Sequence, residues 1–169
     1  MGVNNFEKMT KTFEIGDYHF TLGLNRKMAV EYFKKVPQYF ENAQKLNNLN
    51  NKIANKKQNE VVSNEDLLEM FSLTMENEEY AKQIVNLALP EMLAYGGNDT
   101  ISDYDKYAKD VFEFCDQHEV LYNEIYNDDN GELKVEKGLY TMIVEFIVMG
   151  FTQGGGTPNK KPKLRIIMN

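Results

Sequence analysis

Cys115 and His118 are the residues whose types and spacing are closest to a catalytic pair, because a thiol and an imidazole three residues apart share one face of a helix. Cys115 also continues the apolar stripe of Val111 and Phe112, where a lone cysteine is usually a small buried hydrophobe. His118-Glu119 could begin a zinc-binding helix, but no histidine follows four residues later and the chain has only 2 histidines. We therefore expect neither a catalytic residue nor a metal ligand.

Two further segments are similar to ligand-binding loops. "YNDDNGELKVEK" has glycine at the sixth position of a calcium loop, but Tyr126 and Lys137 stand at the first and twelfth positions, where oxygen donors are required. "GGGTPNKK" has the glycines and lysines of a phosphate-binding loop without its spacing. These patterns favour a turn and a flexible linker, so we expect no cofactor.

Charge is distributed unevenly along the chain. The formal net charge is -7, yet the residues from Thr152 onward include no acid. Their four basic residues are Lys160, Lys161, Lys163 and Arg165. A total of -7 with +4 in this tail leaves -11 for the body. Because an acidic body repels phosphates, we expect no binding to nucleic acid.

The remaining composition indicates a protein of the cell interior. Cys115 is the sole cysteine, which excludes an internal disulfide and suits a reducing compartment. The N-terminus lacks the apolar core of a signal peptide. The apolar run "YTMIVEFIVMGF" carries Glu145 and is too short to cross a bilayer. We therefore expect no membrane partner.

Hydrophobic periodicity predicts the elements that position these residues. Alternation in "TKTFEIGDYHFTLGLN" predicts a β-hairpin over about residues 12–24, with Gly16-Asp17 in its turn. Asn25 then caps a helix that Pro37 ends or kinks, and a narrow apolar stripe predicts a second helix to about Ile53.

Further helices are predicted from Ser63 onward. The segment up to Gly96 is either two helices or one with a break near residues 76–79. A long amphipathic helix is predicted over 102–125, then a turn at "NDDNGEL", and a last helix over 136–151. The prediction is a mainly α fold, a bundle of about five to six helices with a short N-terminal β-hairpin. It forms a single domain over 1–152, followed by a flexible basic tail over 153–169.

The last helix is apolar around much of its circumference, so it lies either in the core or partly exposed for a partner. Core is the default interpretation. The alternative supplies our candidate protein-binding residues, together with apolar residues of the tail segment "LRIIMN", which can dock as a short strand or a hydrophobic latch. These candidates are Leu139, Met142, Ile143, Phe146, Ile147, Met149, Phe151, Leu164, Ile166 and Ile167.

The order of parts resembles that of the tail assembly chaperones of long-tailed, siphovirus-type bacteriophages of Gram-positive hosts, with lactococci as one candidate host. The hairpin "KTFEIGDYHFTLGLN" runs directly into the helix "RKMAVEYFKKVP", an acidic helical body follows, and a tail comes after about 150 residues. The likeness is one of layout over most of the chain and is firm over residues 12 to about 37.

The resemblance implies a non-enzymatic assembly factor. Members of that family coat the hydrophobic helical tape-measure protein, keep it soluble in the host cytoplasm, and are displaced when tail-tube subunits polymerise around it. Many also self-associate. The implied partners are thus the tape-measure protein, the tail-tube protein and further copies of this chain, and the implied factor is absent from the mature virion.

Two other classes of function stay open at this point. One is a different phage structural adaptor, such as a head-tail connector or a tail-completion protein, which would form a closed ring. The other is a small regulatory module that binds a host protein. An enzyme is the least favoured class, because the motifs above lack the spacing that catalysis requires.

Overall fold

The computed structural model describes residues 7–56, 61–153 and 163–166. Five helices and five strands occur in these ranges. In chain order they are β1 (Met9–Ile15), β2 (Tyr18–Leu24), α1 (Arg26–Lys35), α2 (Gln38–Ala54), α3 (Asn64–Tyr95), α4 (Tyr104–Gln117), β3 (Glu124–Asn127), β4 (Leu133–Glu136), α5 (Leu139–Gln153) and β5 (Lys163–Ile166).

The N-terminal hairpin is confirmed. β1 and β2 pair antiparallel with Ile15 opposite Tyr18, which leaves a two-residue turn. Gly16 has φ 56° and Asp17 does not have a positive φ, as in a type II′ turn. Alternate side chains form an inner face that is at most 2% exposed, namely Phe13, Ile15, Phe20, Leu22 and Leu24.

The hairpin belongs to a three-stranded sheet in the order β2-β1-β5. β5 runs parallel to β1, with Ile166 opposite Ile15. Most of the predicted flexible tail, 154–162 and 167–169, lies outside the described residues. Of the rest, Gln153 ends α5 and residues 163–166 form this strand.

Helix starts follow their sequence signals. Asn25, Ser63 and Asp103 each accept a hydrogen bond from the backbone N–H three residues later, at 2.8, 3.1 and 3.0 Å. Pro37 separates α1 from α2 as predicted. Both alternatives for residues 63–96 included a break near residues 76–79, and both were wrong, because the structure has one unbroken helix, α3, with Pro90 inside it.

Two predicted boundaries were wrong, and both lie around residues 118–138. α4 ends at Gln117 instead of continuing to Ile125. A Schellman motif ends it, because Glu119 has φ 57° and the N–H of Val120 donates to the carbonyl of Cys115 at 2.9 Å. The residues that follow form the hairpin β3–β4 around the predicted turn, so the last helix starts at Leu139 and not at residue 136.

The fold is therefore mostly helical, but "mainly α" overstates it, because the described residues contain a three-stranded sheet and a second hairpin. One contiguous core joins the inner face of the first hairpin to α1, the second half of α3, α4 and α5. Cys115 and Phe146 are among its buried members.

The end of α3 packs directly against the outer edge of β2. A Cβ on Gly96 would overlap the Thr21 carbonyl, and a Cβ on Gly23 would lie 2.6 Å from the carbonyl of Tyr95. The side-chain amide of Asn98 then accepts from the N–H of Thr21 at 2.9 Å and donates to its carbonyl at 2.7 Å. This amide satisfies the edge of β2 as a neighbouring strand would.

A candidate protein-binding surface

The predicted binding residues of α5 are mostly core residues. The side chains of five of them are at most 6% exposed, and these are Leu139, Met142, Ile143, Phe146 and Ile147. Met149 and Phe151 are half-buried. Leu164 and Ile166 lie on β5, and Ile167 lies outside the described residues. In this conformation the five buried side chains have little surface to offer a partner.

The half-buried end of α5 joins an aromatic cluster. The Phe151 ring lies 5.7 Å from that of Phe33 and 5.3 Å from that of Phe40, between ring centroids. Phe33 and Tyr39 also stack, at 5.8 Å. This cluster connects α5 to α1 and to the start of α2, and its Phe40 member remains 36% exposed.

The surroundings of Cys115 and His118 do not favour catalysis by this pair. Burial raises the pKa of the Cys115 thiol to about 12, so the nucleophilic thiolate is scarce at neutral pH. His118 donates from Nδ1 to the carbonyl of Phe114 at 2.9 Å. Within the described ranges, no three His, Cys, Asp or Glu side chains are grouped closely enough to hold a metal ion.

α2 and residues 64–77 of α3 form what we call the helical arm. The two helices are antiparallel, because Asn42 near the start of α2 contacts Leu73 and Asn77, whereas Lys52 near its end contacts Asp66. Leu49 and Leu73 are buried in the arm but stand outside the contiguous core. The arm therefore has a small apolar interior of its own.

Two buried polar side chains fasten the arm. Asn42 is 4% exposed and donates to the carbonyl of Leu73 at 2.7 Å. Asp66 is 7% exposed and pairs with Lys52 at 3.2 Å and with Lys56 at 3.6 Å. The hydrogen bond from Lys52 is the main reason that the pKa of the Asp66 carboxyl lies below its usual range.

The Asp66→Asn change is expected to reduce stability more at neutral pH than in acid. A carboxyl whose pKa is lowered by folding stabilises the fold above its unfolded pKa of about 4, and that contribution is lost as the pH falls through the folded pKa. Urea unfolding of wild type and variant at pH 7 and at about pH 3 measures the difference. Glu69→Gln, at an exposed position of α3, is the control. If the variant lowered the free energy of unfolding equally at both pH values, the stabilising role of the Asp66 charge would be contradicted.

The outward side of the arm carries an uncovered apolar stripe. Leu68, Phe71 and Met75 follow one another at steps of three and four, which is the spacing of a helix-helix seam. At 100° per residue, Leu68 and Met75 lie nearly opposite the side of α3 that faces α2. Leu68 is 69% exposed and Met75 is 70% exposed, while Phe71 is half-buried. We call these three residues the outer seam.

Acidic side chains border one side of the outer seam. Four exposed glutamates of α3 lie on that side by helical geometry, and they are Glu65, Glu69, Glu76 and Glu79. A helix with an apolar stripe flanked by lysine or arginine would complement the outer seam in shape and in charge. Sequence reasoning placed these apolar residues on a helix, but periodicity does not reveal which face of a helix remains uncovered.

No helix in the described ranges is both long and apolar enough to cross a membrane. Comparison of the chain with protein-family models, with curated proteins and with solved structures gives no significant match.

Proposed function

We propose that this chain is a non-enzymatic tail assembly chaperone. Its client would be the tape-measure protein of a long-tailed phage, whose amphipathic helices it would keep soluble in the host cytoplasm until tail-tube subunits displace it. The observation that carries the proposal is the outer seam, because Leu68 and Met75 expose apolar surface at helix-pairing spacing on a fastened two-helix arm.

The mode of binding that we propose is helix-in-groove recognition. A client helix lies along α3, covers Leu68, Phe71 and Met75, and turns the arm from two helices into three. The glutamates beside the outer seam select clients with basic flanks and keep the free arm from pairing with acidic helices. The layout resemblance described above is the second support, since it implies the kind of client.

Changing the outer seam is expected to abolish client solubilisation without unfolding the chaperone. Leu68→Gln with Met75→Gln removes two exposed apolar side chains, each contributing roughly 1.5 kcal/mol when buried by a client, or about 100-fold in affinity together. The test is co-expression with the tape-measure protein of the same phage, with the soluble fraction of that client as the readout.

Leu87→Gln is the matched control, because Leu87 is 48% exposed on the same helix but lies outside the outer seam. It should leave the client soluble. A client that is equally insoluble with and without wild type would refute the chaperone proposal. Native mass spectrometry of the chain with and without a fragment of the tape-measure protein tests the main alternative, since a closed ring that does not bind the fragment would favour a structural adaptor.

A further inference from the structure

The hairpin β3–β4 is exposed along its whole length. All eight strand residues are exposed, and none of them belongs to the contiguous core. Ile125 pairs with Val135 and shares its face with Leu133, and these three side chains are 40%, 52% and 51% exposed. An isolated two-stranded hairpin is marginally stable in water, so a partner that covers this apolar face would stabilise the hairpin.

The hairpin is nevertheless fixed to the body at its base. Asn123 accepts from the N–H of Gly138 at 2.9 Å, and the N–H of Leu139 donates to the carbonyl of Val120 at 2.9 Å. A side chain at Gly138 would overlap the carbonyl of Tyr122, so the two chain segments touch at the backbone. The base of the hairpin is thus held in a defined position where α5 begins.

The opposite face of the hairpin carries unbalanced negative charge. Glu124 lies directly across from Glu136, and like charges at such a pair are destabilising. The nearby Lys134 is already paired with Asp128 and Glu132. Within the described part of the chain, neither Glu124 nor Glu136 has a lysine or arginine within 4.0 Å.

A cleft at the start of β3 continues this negative charge. Asp116, Glu119 and Glu124 line it together with Leu121 and Tyr122. A polypeptide that runs beside β3 would pass over this cleft. Basic side chains of such a polypeptide would therefore be favoured along the outer edge of β3, where the apolar face also ends.

We propose that the outer edge of β3 accepts an extended segment of another protein in which apolar and basic residues alternate. The segment adds as a third strand and forms backbone hydrogen bonds with β3. Its apolar side chains extend the face of Ile125 and Val135. Its basic side chains fall on the other face, beside Glu124 on the neighbouring strand and over the cleft, with Glu136 one strand farther away. This site is distinct from the outer seam and independent of the function proposed above.

The test uses the full chain and a fluorescein-labelled peptide of sequence KIKVKLK. We expect binding that weakens with added salt, and no binding of the matched peptide EIEVELE. Glu124→Lys should weaken binding of KIKVKLK by at least about tenfold, because it replaces attraction with repulsion. The same change relieves the repulsion with Glu136, so loss of the hairpin would not account for the result.

Glu69→Lys, the same charge change beside the outer seam, is the control and should leave peptide affinity unchanged. Amide hydrogen exchange locates the site, with added protection expected at residues 124–127. Three results would each overturn the proposal: no binding of KIKVKLK to wild type, equal affinity for wild type and Glu124→Lys, or protection on α3 instead of β3. A failure of client solubilisation leaves all of these readouts intact, so the two proposals are tested separately.

Discussion

Replacing Phe146 by alanine is expected to remove about 4 kcal/mol from the free energy of unfolding. Phe146 lies in α5, is 2% exposed, and is one of the largest fully buried side chains of the core. Its ring also lies 6.0 Å from the Lys11 ammonium, a side chain that is itself 9% exposed. The variant loses the free energy gained by transferring the ring out of water, and it also loses the van der Waals contacts that the ring makes in the core. Urea unfolding followed by far-UV circular dichroism measures the loss.

Met149→Ala is the matched control for the Phe146 variant. It removes a half-buried side chain from the same helix and should lower the free energy of unfolding by only about 1 kcal/mol. The comparison also tests α5 as a binding face. A Phe146→Ala variant that keeps the wild-type unfolding midpoint but no longer solubilises the client would place the binding site on α5 and not on the outer seam.

Gly96→Ala is expected to lower the free energy of unfolding by about 3 kcal/mol for a purely steric reason. Gly96 has φ -76°, which any residue tolerates. The added methyl group, however, would overlap the Thr21 carbonyl, and a backbone group cannot swing aside as a side chain can. Relieving the overlap would separate β2 from the end of α3 and break the two hydrogen bonds between Asn98 and Thr21.

Gly97→Ala separates this overlap from backbone strain. Gly97 has φ 80°, and among the described residues no atom outside Gly97 and its two chain neighbours lies within 4 Å of the position that its Cβ would take. Alanine at this position should lower the free energy of unfolding only by the strain of a positive φ, about 1 kcal/mol. Urea unfolding of both variants gives the comparison. Equal losses would show that the contact between β2 and the end of α3 is looser than its geometry implies.

The N-terminal half of the fold was predictable because its signals are local. Strict alternation on both sides of Gly16 requires a hairpin, and Asn25 and Ser63 cap helices within three residues of themselves. The break predicted near residues 76–79 was wrong, since α3 continues through it. Leu73 before that point is buried in the arm and Ala81 after it lies in the contiguous core, and local periodicity does not encode such tertiary contacts.

The errors around residues 118–138 have identifiable causes. Glu119 adopts the positive φ that usually belongs to glycine, so the sequence carries no warning that α4 ends there. The strands of β3–β4 have four residues each, too few to separate period two from helical spacing. The alternation of Leu133 and Val135 after "DDNG" was nevertheless a usable signal for a hairpin.

The candidate surface was less predictable than the fold. An all-round apolar helix such as α5 is compatible with core and with surface, and only the packed structure places Ile143 and Phe146 in the core. The reverse holds for Leu68 and Met75, whose spacing equals that of core residues although α3 turns them outward. Exposure of individual faces depends on tertiary packing, which periodicity does not encode.

The contact of β2 with the end of α3 also constrains the order in which the chain folds. Thr21 and Asn98 are 77 residues apart, so the first hairpin forms locally but docks only after a large loop has closed. During synthesis its inner face is complete by Leu24, whereas α5 is added only from Leu139 onward. At ordinary translation rates the interval is on the order of ten seconds. Throughout that time the apolar face of the hairpin lacks its contacts with α5, so the nascent chain is exposed to aggregation during this interval.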